Sequence, residues 1–231
     1  MNRDFLPNLK YIFVNPFFIT RRYLYLNIKE FSKIFKSGTL LDIGCGTKPY
    51  ESFFSVKEYI GMDYGKNGTN KNKNADVIYD GKNFPFPDDK FDYALATEVL
   101  EHVFDPILFL KEIHRVLKPH GYLLLTVPFV WDEHEQPFDY GRYTSFGLKY
   151  LLMNHGFEIL EYKKTGNFIT TLGQMTCTYF YYILSKNRYI YKISLLFIFA
   201  PIQILTLLVS KFLPENKGLY LDNIILVRKL K

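Results

Sequence analysis

The chain has 231 residues, 48% of them hydrophobic and 18% aromatic, which is enough for one domain with a full core and excludes intrinsic disorder. Its two cysteines, Cys45 and Cys177, exclude a disulfide framework and a cysteine-built metal cage, and fit a reducing compartment. The net charge of +6 is split: residues 1–39 carry 7 Lys/Arg against 2 acids, residues 40–160 carry 12 against 18, and residues 161–231 carry 10 against 3. The acidic centre argues against a nucleic-acid partner, and the two basic, aromatic-rich ends favour an anionic surface such as a membrane. The stretch from Met1 to Asn15 lacks the unbroken apolar run and small-residue cleavage site of a secretory signal, so an intracellular chain is expected.

Residues 1–38 are expected to be helical. Apolar and basic residues alternate at roughly helical period over 22–36, and Ser37-Gly38 stops the pattern. Apolar runs at 39–43, 59–63, 76–79, 91–97 and 121–127 read as five strands. Between the last two, a helix over 105–117 puts Ile107, Leu108, Leu110, Ile113, Val116 and Leu117 on one side, and Lys118-Pro119-His120-Gly121 ends it. A helix over 145–154, a sixth strand over 157–163 and a last strand over 219–228 follow. Strands alternating with helices specify a doubly wound α/β fold, a parallel sheet with helices on both faces.

Residues 167–217 differ in kind. Residues 167–185 and 193–210 carry no charge, and Lys186, Arg188 and Lys192 lie between them. Eighteen helical residues rise about 27 Å, close to the bilayer core of about 30 Å. Yet Asn167, Gln174, Pro201 and Gln203 interrupt the apolar pattern. A double crossing would also carry the three cations to the far side, against the positive-inside tendency. The expectations are an in-plane or re-entrant membrane hairpin, an apolar homodimer surface, or two helices packed on the sheet. The aromatic residues Tyr179, Tyr181, Tyr182, Tyr189 and Tyr191 suit a lipid interface. The chain thus divides into an N-terminal helical segment (1–38), a core (39–166 and 218–231) and an apolar insertion (167–217).

The first strand ends in Asp42 and runs into Gly44-Cys45-Gly46. Glycines there let the backbone turn sharply beside a ligand at the carboxyl end of a parallel sheet. A dinucleotide fingerprint needs a third glycine where Pro49 stands, and no Lys-Ser/Thr of a phosphate loop follows. The second strand ends in an acid, Asp63, at the place where a carboxylate accepts from both ribose hydroxyls. Asp80-Gly81 precedes Phe84-Pro85-Phe86, and Thr97-Glu98-Val99-Leu100-Glu101-His102-Val103 closes the fourth strand.

These four motifs, in this order, resemble the class I S-adenosylmethionine-dependent methyltransferases over about residues 38–165, near the broad group that includes ubiquinone-biosynthesis enzymes. The resemblance implies a Rossmann-like sheet of seven strands, the last inserted antiparallel beside the sixth. It implies that Asp42, Gly44 and Gly46, with Cys45 between them, shape the pocket for the methionine part. Asp63 would hold the ribose, Asp80 the adenine amino group with Gly81 beside the ring, and Thr97 the methionine end. Taken alone, Asp80-Gly81 is an ordinary turn. Glu98, Glu101 and His102 resemble the Glu-x-x-Glu-His with which small-RNA methyltransferases of this superfamily hold a metal. Those need a further His a few residues on, where this chain has Val103-Phe104-Asp105-Pro106, so no metal is expected.

Methyl transfer from a sulfonium is an in-line displacement in which the protein positions the acceptor and, for a hydroxyl, removes its proton. The residues for this task should follow the fifth strand. There, His134, Glu135, Pro137, Asp139, Tyr140, Arg142, Tyr143 and Thr144 resemble a loop of methyltransferases associated with bacterial surface-glycan synthesis. His134 is the first candidate for the base, with Asp139 and Glu135 as rivals. Tyr140, Arg142 and Tyr143 are candidates for binding a sugar or phosphate. The structural alternative is a polar lid in which Asp139 pairs with Arg142, and Thr144 or Ser145 caps the next helix. The sequence therefore predicts a methyltransferase peripheral on the inner face of a membrane, methylating a hydroxyl of a glycan or lipid-linked sugar. The alternatives are methylation of a quinone or phenolic lipid, and a non-catalytic cofactor-binding scaffold in a membrane complex.

Overall fold

A computed structural model of the chain describes residues 7–65 and 74–231; the start of the N-terminal segment, 1–6, lies outside the described residues. Seven strands form one sheet: β1 (Thr39–Ile43), β2 (Glu58–Tyr64), β3 (Val77–Tyr79), β4 (Phe91–Thr97), β5 (Leu117–Pro128), β6 (Phe157–Lys164) and β7 (Asp222–Lys229). Their order is β3-β2-β1-β4-β5-β7-β6. β1 is parallel to β2 and β4, β2 to β3, and β4 to β5, whereas β7 runs antiparallel to β5 and β6. The carboxyl ends of β1, β2, β4 and β5 therefore share one edge, the expected ligand edge.

Period-two alternation feeds two cores, one on each face. Leu41, Ala94, Ala96, Leu123, Leu125, Ile225 and Val227 face α2 (Pro106–Val116) and α3 (Ser145–Met153). Leu40, Leu95, Leu124, Ile224 and Leu226 face α1 (Phe18–Phe31) through Leu24, Ile28 and Phe31. Asp105 caps α2 by accepting from the backbone of Ile107 and Leu108, with Pro106 in the first turn. The buried side of α2 is Phe109, Leu110, Ile113 and Val116, and Ile107 is exposed rather than buried.

Two expectations on the core change. The N-terminal helix begins earlier than its charge pattern, at Phe18, and ends at Phe31. The segment 118–121 does not separate helix from strand, because Leu117 already pairs with Phe91 and a bulge follows before Tyr93 meets Tyr122. Between β1 and β2 there is no α-helix, only a 3-10 turn at Glu51–Phe53. Residues 44–57 first hold the glycine turn and then Pro49, which leaves too little chain for a full crossover helix.

The insertion is a helical hairpin of α4 (Phe168–Leu184) and a longer helix, α5 (Arg188–Ser194) continuing through a π turn at Leu195–Phe199 into α6 (Ala200–Phe212). The π turn lies just before Pro201, whose missing N–H and bulky ring break the regular ladder. Asn167 and Thr170 form a capping box that starts α4. At Gly173 the two helices touch: a Cβ there would stand 2.1 Å from Thr206 Oγ1. The polar residues that break the apolar pattern face inward. The Gln174 amide donates to Pro16 O at 3.1 Å, and Gln203 donates to Ile12 O and Asn15 O at 3.3 and 3.2 Å. Residues 188–212 form a helix long and apolar enough to cross a membrane, with mean hydropathy 2.3, and only 28% of its apolar window is buried.

Candidate functional site

The glycine turn opens at the carboxyl end of β1. Gly44 has φ +67°, and a Cβ on it would meet Val99 Cγ2 at 2.5 Å, so both the backbone and the space require glycine. Above Gly46 a Cβ would meet nothing within 4 Å, so the floor of the cleft is open there. Asp42 is buried beneath the turn and accepts from the Tyr59 hydroxyl at 2.6 Å. Burial pushes its carboxyl up to about 7, against the pull of Tyr59 and Lys48. Cys45 is buried, and burial holds its thiol at about 12, so it fills space rather than reacting. Lys48 is paired with Asp76, which also accepts from the Gly61 backbone at 2.7 Å.

Asp63 stands half-buried at the end of β2 and accepts from the Tyr64 backbone at 2.9 Å. Asp80 is exposed and accepts from the backbones of Lys82 and Asn83, which lower its carboxyl below the usual range. Those bonds make the Asp80-Gly81 turn, and Gly81 lies against the Tyr64 ring. Thr97 ends β4, half-buried, at the same edge as Asp42 and Asp63. The fold thus brings the glycine turn, Asp63 and Thr97 to one edge of the sheet. An opening of about 570 Å³ lies elsewhere, beside β6, lined by Tyr23, Tyr162, Lys164 and Lys217.

The chain then turns back on itself. Glu98 has φ +55°, and its backbone and side chain both bond Thr126 of β5. Burial raises the Glu98 carboxyl well above its usual range, and the Asp222 and Glu101 charges add to this. Glu101 has no exposed surface, and burial pushes its carboxyl up to about 8. Its backbone carbonyl accepts from Tyr140 and Gly141 at 2.7 and 3.1 Å, which ties the loop after β5 to the turn after β4.

In that loop, Arg142 forms two bonds of 2.6 Å to Asp139 and donates to the carbonyls of Trp131, Asp132 and Gly141. Burial alone would raise the Asp139 carboxyl, but the Arg142 and His134 hydrogen bonds bring it down to about 2. Asp139 is therefore a fixed anion, poorly suited to taking a proton, and Arg142 is committed to the loop rather than to a ligand. Thr144 caps α3 by accepting from Gly147. The pairing and cap of a polar lid are thus both present. Glu135 is mostly exposed, with φ +49°. Tyr140 is exposed against Phe104, and Tyr143 is half-buried against the core. His134 lies edge-on to His102, with ring centres 4.7 Å apart.

Sequence reasoning missed the residues that hold this loop. Asn223 donates to the carbonyls of Val127 and Tyr143, and Asp222 accepts from Thr165 and Thr20. The signal was present: Asp222-Asn223 is a polar pair just before the apolar run at 224–227, and both residues are buried. Tyr182 of α4 donates to Asp132, a contact that no local pattern announces.

The architecture and the open glycine turn define a class I methyltransferase fold. A profile of methyltransferase domains matches residues 19–162, more than half of the chain, and the chain belongs to that family, whose cofactor is S-adenosylmethionine. It is 35% identical over 112 residues to a demethylmenaquinone methyltransferase of Staphylococcus saprophyticus, a match covering 43% of this chain and 46% of that protein. The chain thus spans about half the length of the curated relatives it matches. An S-adenosylmethionine-dependent methyltransferase from Mesorhizobium loti superposes with a TM-score of 0.55 at 12% identity, covering 90% of this chain and 98% of that one. The [4+2]-cyclase SpnF superposes with a TM-score of 0.56 at 20% identity, covering 91% and 82%. Such likenesses establish the fold alone, and the cyclase shows the same fold under another reaction.

Proposed function

We propose that this chain moves the methyl group of S-adenosylmethionine onto a hydroxyl of a glycan or lipid-linked sugar at the inner face of a membrane. The observation that carries this reading is that the loop after β5 and the apolar insertion pack together. Tyr182 of α4 bonds Asp132 of the loop, and Trp131, Met175 and Leu207 pack on one small core of Ile12, Phe18, Ile19 and Leu221. Outside that core the insertion exposes Leu196, Phe197, Leu205 and Leu208, and the cations Lys186, Arg188 and Lys192 suit anionic head groups. The Gln174 and Gln203 amide N–H groups bond the N-terminal segment, which favours a hairpin lying in the membrane plane over one that crosses.

A lipid-anchored acceptor then lies along the insertion with its head group at the loop. Its oxygen forms the new C–O bond as the C–S bond breaks, the electron pair stays on sulfur, and the hydroxyl proton leaves. Of the three residues proposed for that proton, His134 fits best. Asp139 is held by Arg142, and Glu135 stands at the rim.

The similarity to a demethylmenaquinone methyltransferase favours a second reading, in which the acceptor is a quinol or phenolic lipid. The test is incubation of the chain with methyl-labelled cofactor and a total membrane extract, followed by separation into glycan, quinone and protein fractions. Label in the glycan fraction is expected. Label confined to the quinone fraction replaces the first reading with the second, and label in neither removes both.

A further inference from the structure

Glu101, His102 and His134 come from two separate segments, yet each offers a ligand atom within 4.8 Å of the others. Both imidazoles are anchored through the same ring atom. His102 Nδ1 lies 2.8 Å from Phe138 O, and His134 Nδ1 lies 3.2 Å from Asp132 O and 3.2 Å from Asp139 Oδ2. A carbonyl oxygen only accepts, so each Nδ1 is the donor to its carbonyl and Nε2 is the ring atom left to face a cation. This is the arrangement by which outer partners orient ligating histidines. His102 Nε2 is 3.9 Å from Glu101 Oε1 and 3.9 Å from Glu135 Oε2.

Glu101 is the second and independent sign. Its side chain is completely buried, and neither carboxylate oxygen has a hydrogen-bond partner. A carboxylate withdrawn from water needs a compensating cation or donor. The nearby guanidinium does not supply one, since Arg142 spends its bonds on Asp139 and on loop carbonyls.

We propose that Glu101, His102 and His134 bind one divalent first-row transition cation in the acceptor site. Two imidazoles and one carboxylate suit manganese, iron, cobalt or zinc better than calcium or magnesium, and three protein ligands leave positions open for an acceptor oxygen. Bonds of about 2.1 Å on tetrahedral positions set three ligand atoms about 3.4 Å apart, so donors that lie up to 4.8 Å apart draw together by up to about 1.4 Å on binding. Asp139 thereby becomes a positioning residue, holding His134 while Arg142 holds it.

The role of the cation rests on the methyl transfer proposed above; its binding does not. Coordination lowers the pKa of a bound hydroxyl, so the acceptor loses its proton to water, and His134, with Nε2 on the cation, serves as ligand in place of the base role given to it above. The resulting alkoxide forms the C–O bond as the C–S bond breaks, leaving a neutral thioether.

The experiment is equilibrium dialysis of chelator-stripped full-length chain against Mn2+, Zn2+ and Mg2+ separately, with wild type, Glu101→Gln and His134→Ala. One Mn2+ or Zn2+ per chain is expected in the wild type, weakened at least about tenfold in each variant, with S-adenosylmethionine affinity within twofold of wild type as the check on folding. The Co2+-loaded wild type should show a ligand-field absorption band that both variants alter. No stoichiometric Mn2+ or Zn2+ binding, or equal binding in wild type and a folded variant, overturns the site. Stoichiometric binding with methyl transfer that survives chelation overturns the role of the cation and leaves the site. Binding without any methyl transfer to membrane extract leaves the site and removes the reaction.

Discussion

Asp139→Asn isolates the ion pair that shapes the loop after β5. In the wild type, Arg142 holds the Asp139 carboxylate with two bonds of 2.6 Å, and the carboxylate also accepts from the His134 backbone at 3.0 Å. Its side chain is 4% exposed, so solvent screens the pair little. The folded carboxyl titrates at about 2 against an ordinary 3.8. A difference of that size corresponds to about 2 kcal/mol of stability. The sign follows from the depressed value: the contribution is full above the ordinary pKa and is lost as pH falls through the folded one. Urea denaturation at pH 7 should show Asp139→Asn less stable by about 2 kcal/mol, and the gap should narrow to roughly 1 kcal/mol at pH 3. Asn223 ties this loop to β7, so global unfolding reports the loss. Equal stability at pH 7, or a gap that does not narrow on acidification, refutes the reasoning.

Three further perturbations probe other parts of the molecule. Gly173→Ala drives a methyl into Thr206 and should lower stability by about 2 kcal/mol in the same denaturation assay; an unchanged midpoint would mean that α4 and α6 do not meet there. Asp63→Ala should weaken S-adenosylmethionine binding about ten- to a hundredfold by calorimetry, the loss of one or two charged hydrogen bonds, whereas an unaltered affinity removes Asp63 from the ribose. In flotation with anionic vesicles at low salt, the wild type should rise with the lipid. Replacing Lys186, Arg188 and Lys192 together by Gln should cost about 3 kcal/mol of that binding, and recovery of both proteins at the bottom of the gradient sinks the membrane reading.

The sheet was legible because period-two alternation and glycine turns are local signals: β1, β4 and α2 lie close to their predicted bounds. The 3-10 turn between β1 and β2 was not, because a single turn carries no periodic pattern. The hairpin was legible as two uncharged runs. The polar positions within it acquired meaning only when Gln174 and Gln203 met the carbonyls of Pro16, Ile12 and Asn15, at the opposite end of the sequence. The glycine turn, Asp63 and Thr97 follow from strand ends, which sequence order fixes. The loop after β5 depends on His102 meeting His134 and on Glu101 O receiving the loop, contacts that exist only after β4 and β5 pair.

The central claim is that acceptor loop and apolar insertion act as one surface on a lipid-embedded substrate. Its most direct measurement is methyl transfer to a membrane-lipid extract, presented either in vesicles or dispersed in detergent micelles. Wild type is compared with a Leu196→Glu, Phe197→Glu, Leu205→Glu variant, three exposed apolar positions of the insertion. The account predicts that the variant loses about tenfold or more of its activity on vesicles and keeps its activity on micelles. Equal activity of both proteins on vesicles contradicts it.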